Sequence, residues 1–232
     1  GIVPVHEMGL DATGRVFFTM RLVRGRDFEQ RSLAMFERAQ GPDSPEVARA
    51  LTSLSGRLRA LGDWRGAKRA ALRGLAIRQR RFDPDNPEIA TSLLSVGRVD
   101  AEAGELQAAE DTLRRALAIR SRVYGAENPV TALVLDELAR VELARGETDS
   151  ALAMCERAIR AKTRGLGAGH PDVARSWLVS AEAQLRAGDR ATASKAALEG
   201  ERIMREHLAG SVASMSESEA LGYEATRVCG LG

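Results

Sequence analysis

The chain has 232 residues, 44% apolar and 28% charged, a globular balance that can bury a core and excludes a disordered polypeptide. A formal net charge of +2 and only 4% aromatic residues favour neither nucleic acid nor a membrane surface as partner. Two cysteines, Cys155 and Cys229, build no disulfide framework; no apolar run reaches the roughly 18 residues of a membrane span; and "GIVPVHEMGL" lacks the basic start of a signal peptide. The expectation is a chain of the reducing cytoplasm.

The first predicted elements are strands. Val16, Phe18 and Met20 alternate with Phe17, Thr19 and Arg21, and "LDATGR" ahead of them reads as a hairpin turn. The stretch "IVPVHEMGLDATGRVFFTMRLVRGRDF" resembles the fourth and fifth strands of the small lobe of bacterial Ser/Thr protein kinases. That resemblance implies Met20 at the gatekeeper position and Arg21, Leu22 and Val23 in the hinge beside adenine, with Arg21 where an acidic residue is common. Phosphoryl transfer further requires a Gly-rich loop, a strand lysine, a catalytic Asp and Mg-binding Asp and Asn residues. The chain has no "HRD" or "DFG" string, and its first lysine is Lys68. Residues 1–27 are therefore expected to be a two-strand remnant without kinase activity.

From residue 41 the chain repeats itself. Pro45, Pro87, Pro129 and Pro171 are 42 residues apart, and Gly62, Gly104, Gly146 and Gly188 keep the same step, as do Ala67, Ala109, Ala151 and Ala193. Four units follow: 41–82, 83–124, 125–166 and 167–208. Each reads as two helices, A and B. Ser44, Asn86, Asn128 and His170 stand at the N-cap before a proline that suits the first helical position, and the glycine ends helix A. Leu51 and Leu54, Leu93 and Val96, and Leu135 and Leu138 keep one face of helix A apolar, while Leu106, Ala109, Leu113, Ala116 and Leu117 form the stripe of a helix B. Small residues recur where the two axes must approach, at Ser55, Gly97, Ala139 and Ala181 in helix A and at Gly74, Ala116, Ala158 and Gly200 in helix B.

This pattern resembles the tetratricopeptide repeat, and the 42-residue period with "RALAIRSRVYGAENP" resembles its kinesin-light-chain-like variety, over residues 31–208. The fold implied is mainly α, a right-handed α-solenoid of helix pairs with a short N-terminal β-hairpin. Residues 31–40, "RSLAMFERAQ", align with the second half of a helix B, so 28–40 are expected to be a partial repeat. The family implies a non-enzymatic scaffold that binds a protein or peptide in a groove lined by helix A. Carried over, the groove positions are Thr52, Ser53 and Gly56; Leu94, Ser95 and Arg98; Asp136, Glu137 and Arg140; and Leu178, Val179 and Glu182. Kinesin-light-chain-like repeats often place an Asn pair at the first two of these positions, and this chain does not. Arg98 and Arg140 beside Asp136 and Glu137 are then the groups expected to engage an extended segment; the alternative is a solvated face with no dedicated ligand.

After Leu208 no fifth unit begins. Ser216 and Glu219 read as a capping box before a short helix with Leu221, Ala225 and Val228, a cap or linker over 209–232. The stretch resembles the junction between tetratricopeptide repeats and the CHAT protease domain of bacterial proteins, although no histidine follows Cys229 to act as a base. The regulatory alternative is thus the repeat portion of a bacterial signalling enzyme, kinase or protease. Among other motifs, "GLGAGH" at 165–170 follows a helix and joins two units, unlike a phosphate loop. His170, His6 and His207 form no metal-spaced cluster, and Cys155 takes the helix B place of Leu113 as a buried hydrophobe. No cofactor and no metal are expected.

Overall fold

The computed structural model describes the backbone of residues 5–10, 16–20 and 25–213, and the side chains of residue 31 and residues 33–211. Two antiparallel strands, β1 (Val5–Leu10) and β2 (Val16–Met20), place Met8 opposite Phe18. The expected hairpin turn, the faces of the strands and the kinase-like hinge residues lie outside the described residues, as does the capping helix expected from Ser216.

Nine α-helices follow among the described residues, in two compact units divided between Arg81 and Phe82. Unit 1 holds α1 (Gly25–Gln40), α2 (Pro45–Ala60) and α3 (Trp64–Arg81). Unit 2 holds the pairs α4 (Pro87–Glu102) with α5 (Leu106–Tyr124), α6 (Pro129–Arg145) with α7 (Thr148–Leu166), and α8 (Pro171–Arg186) with α9 (Arg190–Ala213). Helix α1 starts at Gly25, three residues ahead of the partial repeat expected from residue 28. Helix α9 runs past Leu208 to Ala213.

The helix starts follow from side-chain chemistry. Ser44 Oγ accepts from the Val47 amide at 3.3 Å, Asn86 Oδ1 from Glu88 at 2.9 Å, Asn128 Oδ1 from Val130 at 2.8 Å and His170 Nδ1 from Asp172 at 3.1 Å. Each accepts from an amide that the first turn would leave unpaired, and the proline beside it has no amide to leave. Helix α6 stops at Gly146, whose φ of 87° is left-handed backbone that a Cβ would oppose.

Helices within a pair cross tightly. A Cβ placed on Gly97 of α4 would lie 2.6 Å from Leu113 Cγ of α5, and one on Gly74 of α3 would lie 3.3 Å from the Ala48 carbonyl of α2. Ser55 donates its hydroxyl to the Ala67 carbonyl at 2.9 Å, binding α2 to α3 where the axes meet. In unit 2 the pairs stack. Ala139 and Leu143 of α6, Ala151 and Cys155 of α7, and Val179 and Ala183 of α8 form one buried cluster. A leucine such as Leu113 or Leu135, with at most 1% of its surface exposed, contributes about 1.5 to 3 kcal/mol by leaving water. No described helix is long and apolar enough to cross a membrane.

Candidate peptide-binding groove

In unit 2, α6 touches both α4 and α8, so the first helices of the three pairs make one continuous face. On it Arg98 of α4 reaches Glu137 of α6 at 2.8 Å, an ion pair that ties neighbouring pairs together. Arg140, one turn along α6, is exposed and has no ion pair with a described residue. On α8, Glu182 pairs with Arg186 at 2.8 Å, and Arg186 also donates to the Leu143 carbonyl of α6 at 2.5 Å. Leu178 is 45% exposed and leans over Gly200 of α9, 3.2 Å from where a Cβ would stand.

Other positions expected in the groove lie inside. Leu94 is 6% exposed and Val179 is part of the buried cluster. Asp136 is buried, held by the fully buried Lys162 ammonium and by the Ser176 hydroxyl, which donates at 2.8 Å. Burial pushes the Asp136 carboxyl above its ordinary value, and the Lys162 charge and the two hydrogen bonds oppose that shift. Asp136 is thus an interior group, unlike its neighbour Glu137. Ser95 is half-buried. In unit 1, Thr52 donates to the Ala48 carbonyl at 3.0 Å and accepts from Arg78 at 2.9 Å, while Ser53 is exposed.

The structure also brings out a set of residues that the sequence reading passed over. Arg78, Arg120 and Lys162 occupy one repeat position in α3, α5 and α7, and all three are buried. Arg120 donates to the Val130 carbonyl at 2.8 Å, and Lys162 to the Asp172 carbonyl at 3.2 Å, in each case the first turn of the next helix A. Each cation also reaches its own helix A, at Thr52, Thr91 or Asp136. Burial lowers the Arg120 pKa from its ordinary value, and the carbonyl bond compensates the lost hydration. The signal was the same 42-residue step, carried by charged rather than apolar residues. Cys155 is buried too, and its thiol is pushed up to about 12, first by loss of water and then by the Asp136 charge.

No metal-holding group of His, Cys, Asp and Glu occurs among the described residues. The face of α4, α6 and α8 carries the exposed Arg140 and the Arg98–Glu137 ion pair.

The comparisons agree with this architecture. The tetratricopeptide repeat model matches residues 58–122, 88–164 and 130–206. Crystal structures of a Podosopora anserina protein described as a kinesin light chain with nearly identical TPR-like repeats are 20% identical, one with a TM-score of 0.61 over 79% of this chain and 86% of that one. BtubC (BKLC) from P. vanneervenii is 18% identical with a TM-score of 0.63, over 77% of this chain and 71% of its own. MamA is 20% identical with a TM-score of 0.51, over 80% and 98%. At these identities the likeness is one of fold. No curated protein matches the chain in sequence. With matched repeats over most of its length, and helices capped, crossed and stacked in register with them, the chain belongs to the tetratricopeptide repeat family.

Proposed function

We propose that this chain is a scaffold without catalytic activity of its own, which binds an extended protein segment along α4, α6 and α8 of unit 2. The observation that carries it is the exposed Arg140 beside the Arg98–Glu137 pair, which joins neighbouring helices of this face. An extended segment brings backbone carbonyls and carboxylates to Arg140. Asp136 takes no part, because its carboxylate already serves Lys162 and Ser176.

The test is selection of peptides from a random display library on the full chain, followed by binding to the Arg140→Glu variant. Arg140 is exposed, so the variant keeps the fold. Selected peptides should bind this variant at least about tenfold more weakly. Equal binding would remove the groove as the site.

A second reading makes the chain the repeat portion of a bacterial Ser/Thr kinase or CHAT-type protease, and the kinase-like string at residues 2–28 supports it. A parent reading frame that supplies the catalytic motifs would favour that reading, and one that lacks them would end it.

A further inference from the structure

The positive charge of the chain is concentrated in one repeat. Residues 41–82 carry ten arginine and lysine side chains against three carboxylates, whereas residues 83–124 carry five against eight and residues 125–166 six against seven. In that basic repeat, within unit 1, a cavity of about 290 Å³ opens between the C-terminal half of α2 and the N-terminal half of α3. Leu51, Leu54 and Leu58 line it from α2, Ala70 lines it from α3, and Arg69 and Arg73 stand at its rim. Asp63, also at the rim, already accepts the Gly66 amide at 2.9 Å. Arg73 is held by Glu37 at 2.7 Å, while Arg69 is exposed and engages no described partner.

The position of Ala70 is held by Thr112 in α5, by Met154 in α7 and again by alanine, Ala196, in α9. Met154 packs against the cluster of Ala139, Leu143 and Cys155, so a methionine-sized side chain is accommodated at this position of the repeat. Alanine in α3 fills less of that volume. A slot of aliphatic lining with a cationic rim suits a ligand with one bulky apolar group among negative charges.

We propose that this slot is a docking site for an acidic polypeptide segment with a single leucine- or methionine-sized anchor. The anchor enters beside Ala70, and flanking carboxylates pair with Arg69 in the positive field of the repeat. Nucleic acid fits less well, because bases stack on aromatic rings and this lining is aliphatic. The site is separate from the groove of unit 2, so either can fail without the other.

Fluorescence anisotropy on the full chain tests it, with a labelled peptide of about nine residues, glutamates around a central leucine, as the probe. Three comparison probes are the same peptide with a central serine, one with lysines for glutamates, and a thymidine oligonucleotide of equal length. The expected result is binding of the leucine peptide that falls about tenfold with the serine probe, with Arg69→Glu and with Ala70→Met, and that weakens as salt rises. Arg160→Glu, an exposed change on α7, should leave it unchanged. Circular dichroism checks that each variant folds, and Arg69→Glu decides the matter if Ala70→Met does not. No binding of the leucine peptide, equal binding of the serine peptide, or tighter binding of the oligonucleotide would each overturn the proposal.

Discussion

Lys162 of α7 is fully buried with its ammonium against the carboxylate of Asp136 on α6, and both share the Ser176 hydroxyl of α8. One ion pair thus holds three helices from two successive pairs. Removing one partner strands the other charge away from water. Asp136→Ala should therefore cost about 3 to 5 kcal/mol, whereas the double change Asp136→Leu with Lys162→Met should cost much less, because no charge is left to desolvate. Urea unfolding of both variants checks this, and equal losses would show that packing, not charge, dominates the site.

Ala116 sits at the crossing of α4 and α5 with none of its surface exposed, level with Gly74, Ala158 and Gly200 in the other pairs. Ala116→Leu should overpack the crossing and destabilise by about 1 to 3 kcal/mol. An unchanged melting temperature would mean that the helices separate there without cost, contrary to the close contact of Gly97 with Leu113.

The Cys155 thiol, pushed up to about 12, is almost wholly protonated at pH 8, with on the order of one thiolate in ten thousand. Its folded value lies above the ordinary one, so its thiolate becomes abundant only in strong alkali, near that raised value. Iodoacetamide at pH 8 should leave Cys155 unmodified in the native chain and label it in denaturant. Mass spectrometry of the peptide containing Cys155 reads the difference, and rapid native labelling would show that the α7 cluster opens readily.

The catalytic and phosphate-binding strings of kinases are missing from the sequence, so the purified chain should give no saturable heat with Mg-ATP in calorimetry. Measurable affinity would require a nucleotide site of another kind.

The repeat architecture was legible in the sequence because its causes are local. An N-cap before Pro87, a glycine at Gly146, and small residues at Gly97 and Ala116 each act within a few residues or across one helix pair, and they recur every 42 residues. Periodicity therefore sufficed for the helices, their starts and their crossings. It did not suffice for the direction of individual polar side chains. Asp136 and Glu137 are adjacent and chemically alike, yet one is buried against Lys162 and the other pairs with Arg98 of α4. That assignment depends on α7 and α8 arriving with Lys162 and Ser176. Likewise only packing showed that Arg78, Arg120 and Lys162 point inward, since a long cation on a helix can lie buried or exposed until a carbonyl and a carboxylate are brought within reach of it.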